Sequence, residues 1–291
     1  MSSTGVPGGR GGTAFVLGGG GVLGAAEVGM LRALVERGIR PDLVVGTSVG
    51  AINGALVAAD PTPAGVDRLR GVWTDLTSRG VFAGSMLSRV GTLVRTRTHV
   101  HPREPLRDLL TEYLPVRTFG ELPVPFQCVA ASIERAAEHW FTDGALVDAV
   151  LASCAVPGLL PPVALDGEHF LDGGLVHSIP VGRAVALGAH TIYVLHVGRI
   201  DRPLRAPTRP WEVALVAFEI ARRHRFAADL AALPDGVTVH VLPSGEQAPP
   251  SAGDLRSLRY RDFSGVTDRI DRAHAAAGEH LDRSGRAESG V

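Results

Sequence analysis

The sequence predicts an α/β fold, with a mainly parallel central sheet flanked by helices. Two observations carry this. The chain opens in the order β-α-β-α, and both strand-to-helix junctions are glycine-rich turns. Thr13–Leu17 is a short apolar run ending at Gly18, which suits a buried strand. Val22–Arg37 follows, with Val28, Leu31, Leu34 and Val35 at helical spacing and Gly38 where a C-terminal cap belongs. Asp42–Thr47 is a second strand, rich in Val and Leu, and Val49–Ala59 is a helix of small residues stopped by Pro61.

Further along, Gly65–Arg79 and Arg103–Tyr113 read as helices, while Gly84–His101 matches neither period. Phe126–Ile133 and His139–Thr142 read as a strand pair turned at Glu134–Glu138. Gly144–Ser153 is a helix, followed by the proline-rich run Pro157–Pro162 and a short strand at His169–Leu171. Pro180–Leu187 is a helix, Thr191–Val197 a strand, Pro210–Leu233 a long helix, Val237–Leu242 a strand and Val266–Leu281 a terminal helix. No internal repeat is present. Gly198–Pro210, rich in Pro and Arg, is the one stretch that resembles an edge between units.

Composition narrows the function. The 291 residues carry 29 basic and 30 acidic side chains, a net charge of −1, which argues against a protein that mainly holds nucleic acid. Apolar residues make up 45%, too many for wholesale disorder, and the 36 glycines follow no three-residue period, which excludes collagen. Every basic residue is Arg, so catalysis by a Ser–Lys pair is out. Two cysteines, Cys128 and Cys154, are too few for a disulfide framework or a structural zinc site and read as small core residues. From Thr13 to Leu31 the only charge is Glu27. Four consecutive glycines and that acid break the apolar run, so the expectation is a cytoplasmic chain without a signal peptide or membrane span.

Gly18-Gly19-Gly20-Gly21-Val22-Leu23-Gly24 joins the first strand to a helix. Its N–H groups lie at the positive end of the helix dipole, which makes it an anion site. Three readings compete. Gly19, Gly21 and Gly24 match G-x-G-x-x-G, yet the acid a dinucleotide fold needs near the end of the second strand is missing, since Asp42 stands at that strand's start. A second reading is a tight structural turn. The third is an oxyanion hole.

Gly46-Thr47-Ser48-Val49-Gly50 is G-x-S-x-G, again between strand and helix. Gly46 and Gly50 leave room for a sharp turn that lifts Ser48 above the sheet. The plainer reading is that Ser48 is an N-cap. Capping accounts for the serine but not for both flanking glycines. Loops at the carboxyl ends of neighbouring parallel strands converge, so the glycine loop and Ser48 are expected to face one pocket.

The serine needs a base. His177, His196 and His240 come after it in the order of an ordinary α/β-hydrolase, but none stands in a recognisable context. Phe170-Leu171-Asp172-Gly173-Gly174 places an acid at a strand end before two glycines that expose it, although Asp143-Gly144 and Asp166-Gly167 show that such turns also occur without function.

In this order, the glycine loop, the serine elbow and Asp172-Gly173-Gly174 resemble the patatin-like phospholipases, in their bacterial form. Pro41–Val45, Ala51-Ile52-Asn53-Gly54-Ala55, Ala152–Gly158, Pro161-Pro162, Leu171–Leu175 and Ile179-Pro180-Val181 are similar to family sequence too, over about Phe15 to Leu187. The resemblance implies a three-layer α/β/α domain. Its expected parts are a disordered leader at 1–12, a catalytic core at 13–187 and a C-terminal part of the same domain at 188–291. It implies a serine lipid acyl hydrolase of phospholipase A, lysophospholipase or carboxylesterase type. Ser48 would be the nucleophile and Asp172 the general base. The N–H groups of Gly19, Gly20 and Gly21 would form the oxyanion hole, with Gly24, Gly46, Gly50, Gly173 and Gly174 as supporting glycines. No metal or cofactor is implied. One departure stands out: the family often has Lys or Arg where this chain has Leu23, which removes a positive charge near the site.

The expected partner is a lipid or other acyl ester, not nucleic acid. Arg89, Arg95, Arg97, His99, His101 and Arg103 form a basic stretch without an acid from Arg89 to Arg103. It reads as a solvated loop or as a transient contact with anionic headgroups at a membrane surface. Two other functions stay open: a catalytically silent acyl-chain or partner-binding relative, and a nucleotide-binding protein.

Overall fold

The structure is a computed structural model and describes residues 12–78, 99–197, 203–204, 206–208, 210–246 and 265–289. The expected leader up to residue 11, the arginines at 89, 95 and 97, and much of Gly198–Pro210 lie outside the described residues.

Among the described residues, eight strands form one mixed sheet. They are β1 (Gly12–Leu17), β2 (Leu43–Thr47), β3 (Phe126–Ser132), β4 (Ala137–Phe141), β5 (Val163–Leu165), β6 (Glu168–Asp172), β7 (Ala189–Leu195) and β8 (Thr238–Leu242). The order is β5-β6-β3-β2-β1-β7-β8, with β4 also paired to β3. The run β3-β2-β1-β7-β8 is parallel, whereas β4, β5 and β6 are antiparallel to their neighbours.

Successive residues of β1 feed two different cores. Phe15 and Leu17 join Val44 and Phe126 under α1 (Ala25–Glu36), α2 (Val49–Ala59), α3 (Pro63–Ser78), α4 (Glu104–Tyr113), α5 (Leu146–Ser153) and α8 (Val266–Ser289). Ala14 and Val16 join Ile192 and Val194 beneath α6 (Val181–Ala186) and α7 (Pro210–Ala231), whose Phe226 inserts there. Both faces are buried, which is why these strands read as unbroken apolar runs.

Two expectations are corrected, and one strand is added. Gly12, assigned to the leader, begins β1, because it pairs with Ala189 across a bulge. Val22–Gly24, read as the start of a helix, belongs to a 3-10 turn, Gly21–Gly24, and the α-helix starts at Ala25. Two glycines leave that turn little intrinsic helix preference. β5 was not anticipated, because three residues behind Pro161-Pro162 carry no measurable period. It pairs with β6 across a two-residue turn in which Asp166 (φ 50°) and Gly167 (φ 83°) both have positive φ, as a type I′ hairpin turn requires.

The C-terminal helix packs tightly on α1. A Cβ on Gly29 would stand 2.1 Å from the Ile270 carbonyl oxygen and 2.7 Å from the His274 nitrogen. Both are backbone atoms of α8, so only a glycine permits this approach. Gly29→Ala is expected to destabilise the fold by about 1–3 kcal/mol through overpacking. Gly120→Ala, where a Cβ meets nothing within 4 Å, should stay within about 0.5 kcal/mol. Denaturant unfolding of the two variants beside the parent checks this.

Candidate active site

Leu17 and Gly46 are register partners, so the turns after β1 and β2 leave the sheet side by side. Ser48 sits in the second turn with φ 55° and ψ −124°, a left-handed conformation that a side chain rarely adopts. Its neighbours explain how the turn closes. A Cβ on Gly46 would lie 2.4 Å from the Gly50 carbonyl oxygen, and one on Gly50 would lie 2.4 Å from the Leu17 carbonyl oxygen. The Ser48 side chain does not cap α2. Its Oγ donates instead to Asp172 Oδ2 at 2.6 Å.

The elbow is fastened from a third element. The Ser48 N–H donates to Ser153 Oγ (2.9 Å), and the Cys154 thiol donates to the Ser48 carbonyl (3.1 Å). Burial pushes the Cys154 thiol well above its usual pKa, so it remains a donor. Neither role was readable in the sequence, where Cys154 passes for core filler. The two partners lie 105 and 106 residues from Ser48, and no spacing rule reaches that far.

Asp172 reaches Ser48 because of how β3 is shared. Cys128 and Val129 pair with both β2 and β4, while Ala130 and Ser132 pair with both β4 and β6. A strand has two edges, so β2 and β6 lie on the same one, running toward each other. β2 ends at Thr47 opposite Val129, and β6 ends at Asp172 opposite Ala130. Asp172 then caps a 3-10 turn, Gly173–Leu175, by accepting the Gly174 N–H on Oδ1 at 2.7 Å. That contact fixes the carboxyl with Oδ2 toward Ser48. Gly173 is pressed on β3, where a Cβ would stand 2.1 Å from the Val129 carbonyl oxygen.

Burial raises the Asp172 pKa from its ordinary 3.8 to about 6, and the hydrogen bonds from Ser48 and Gly174 offset part of that rise. The carboxyl is thus a stronger base than an exposed aspartate, and still ionised at neutral pH.

The glycine loop divides its donors. Gly18 N–H goes to the Leu195 carbonyl and Gly19 N–H to the Ser178 carbonyl, both at 2.9 Å. Gly19 therefore departs from its expected part in the oxyanion hole, since its donor is already used. A Cβ there would make only ordinary contact, 3.5 Å from Ser48 Cβ. The N–H groups of Gly20 and Gly21 meet no protein acceptor among the described residues. Gly21 has φ 57°, and a Cβ on Gly24 would lie 2.6 Å from Val49 Cγ1. Leu23 packs half-buried against the core.

None of the three histidines hydrogen-bonds Ser48 or Asp172 among the described residues. His177 lies between Asp229 (2.9 Å) and Glu138 (3.2 Å). His196 is buried, with its pKa pushed down to about 3, chiefly by that burial. His240 stacks on Tyr193. Asp42 accepts the Thr13 N–H (2.8 Å), at the start of β1 and away from the glycine loop. Among the described residues, no group of three or more His, Cys, Asp or Glu is placed to hold a metal, and no helix is long and apolar enough to cross a membrane.

Beside Ser48 opens a cavity lined among others by Val22, Val49, Ile52, Trp73 and Leu106. No acidic or basic side chain is among its described lining residues.

Residues 15–185 match the family model for patatin-like phospholipase. The chain is similar to patatin-like phospholipase domain-containing protein 7 of Rattus norvegicus, with 33% identity over 191 residues, 65% of this chain and 14% of that protein. It is similar to lysophospholipase nte1 of Aspergillus terreus, with 32% identity over 200 residues, 64% of this chain and 12% of that protein. The chain thus spans only 12–14% of the length of these relatives. Among solved structures, VipD from Legionella pneumophila aligns over 94% of this chain and 67% of its own, with a TM-score of 0.46 and 14% identity.

The raised Asp172 pKa has a cost in stability. A carboxyl whose pKa is higher folded than unfolded stabilises the fold below the unfolded value, and that contribution is lost as pH rises through the folded one. The lift from 3.8 to about 6 corresponds to about 3 kcal/mol. Asp172→Asn keeps both hydrogen bonds, accepting from Gly174 and donating to Ser48. It should be more stable than the parent by up to about 3 kcal/mol above pH 7, and the gain should vanish toward pH 4. Denaturant unfolding across that pH range measures the difference.

Proposed function

The chain belongs to the patatin-like phospholipase family, and on that premise we propose that it is a serine lipid acyl hydrolase working through a Ser48–Asp172 dyad. One observation carries the proposal: a serine held at positive φ whose hydroxyl donates to a buried carboxylate at 2.6 Å. The names of the relatives support a lipid ester as the substrate class.

Each step assigns a role to a group near Ser48. Asp172 Oδ2 takes the Ser48 proton as Oγ attacks the acyl carbonyl. The carbonyl oxygen becomes an oxyanion and is met by the N–H groups of Gly20 and Gly21 at the head of the next helix. The bond to the alcohol breaks, and Asp172 returns the proton to the departing oxygen. Water then attacks the acyl-Ser48 ester, giving its proton to Asp172. Collapse of the second tetrahedral intermediate restores the serine and releases the fatty acid. The apolar cavity beside Ser48 suits the acyl chain.

A silent acyl-binding relative is the second reading. It would keep the cavity but would not form the covalent intermediate. A fluorophosphonate probe separates the two: Ser48 in the parent chain should be labelled and Ser48→Ala should not. Ser48→Ala should reduce p-nitrophenyl ester hydrolysis to background, and Asp172→Asn should lower kcat by about 10²–10⁴-fold. Full activity in either variant rules out the dyad. Because the carboxylate is the active form, kcat/KM should fall as pH drops through about 6, with the slope of a single proton.

A further inference from the structure

Behind the cavity lies a chain of buried polar groups that the dyad does not use. Trp73 on α3 donates its indole N–H to Asn53 Oδ1 at 3.0 Å. Asn53 stands five residues after Ser48, on α2. Its amide donates to Glu27 Oε2 (2.7 Å) and to the Gly24 carbonyl (3.0 Å). Glu27 is completely buried, and burial holds its carboxyl well above the usual carboxylate range. Every hydrogen-bonding group of the Asn53 side chain is therefore occupied, and the only polar atom of the indole points away from the cavity.

Trp73 is also sterically fixed. A Cβ on Gly24 would lie 3.2 Å from indole Cζ2, so the ring rests against the foot of the glycine loop. The cavity has a direction as well. Gly21, Val156 and Leu159 on its rim are partly exposed, whereas Trp73 and Leu106 are each 1% exposed. The partly exposed lining residues give the cavity an open side, and Trp73 and Leu106 are the least exposed of the residues that line it.

We propose that Trp73, pinned through Asn53 to Glu27, is the stop that sets how long an acyl chain the site accepts. The substrate class rests on the hydrolase reading above; the stop itself rests on the geometry of the buried end. Trp73 would act on the acyl tail and be a specificity determinant, while Asn53 and Glu27 position it.

The test is a series of p-nitrophenyl esters of rising chain length, read two ways. In the parent chain, kcat/KM should climb about fourfold for each methylene that finds apolar cover and then break where the tail meets Trp73. Trp73→Phe lengthens the buried end and should move the break to longer esters, with a gain of about fourfold per added methylene beyond the parent's limit. Leu106→Phe fills the same end and should move the break to shorter esters. General damage to the fold would lower every ester alike and leave the break in place. The second reading is equilibrium binding of the same esters to Ser48→Ala, alone and combined with each variant. Breaks that shift in opposite directions support the stop. A break that neither variant moves, or affinities and rates without a break, overturn it. If the parent chain hydrolyses nothing but the binding break shifts, the hydrolase reading has failed and the stop stands.

Discussion

The site depends on one topological constraint, the sharing of a single edge of β3. Two strands run toward each other along that edge and end one residue apart, at Val129 and Ala130. The segments that leave these two strands are forced into the same small volume. After β2 the chain must turn up sharply, since α2 begins against the Leu17 carbonyl. After β6 it must turn on Gly173, against the Val129 carbonyl. The serine and the aspartate meet there because neither segment has anywhere else to go. This arrangement places a serine hydroxyl and a carboxylate together without relying on long, flexible side chains.

Burial then tunes the pair. An exposed aspartate is too weak a base for a serine hydroxyl, and the same residue under cover is closer to neutral pH. His177, five residues beyond the aspartate, supports the framework, with its ring held by carboxylates and its carbonyl accepting the Thr47 hydroxyl at 2.8 Å. Thr47, beside Ser48, is thereby tied to the segment just after Asp172. The positive φ at Ser48 is backbone strain held in place by Ser153 and Cys154.

Much of this was legible in the residues, for local reasons. β1 and β2 are apolar runs bounded by glycine, and such runs declare themselves. The elbow glycines could be read because their packing demand lies within two residues of Ser48. The hidden parts depended on distant partners. Three adjacent glycines look alike in sequence, and only the Ser178 carbonyl reveals that the Gly19 donor is taken. Glu27 read as a flaw in an apolar run until Asn53 and Trp73 showed it to be the root of a buried network. β5 was missed because a three-residue strand has no period to detect.

The position of β7 carries a consequence for biosynthesis. The family match ends at residue 185, yet β7 pairs with β1 in the middle of the sheet, and Leu195 supplies the acceptor for Gly18 at the root of the glycine loop. On the ribosome, residues 48 and 172 emerge before residue 195 does. During that interval β1 has an open edge, with backbone donors and acceptors exposed to any passing strand. Ser48 and Asp172 are thus translated ahead of the strand whose Leu195 anchors the glycine loop.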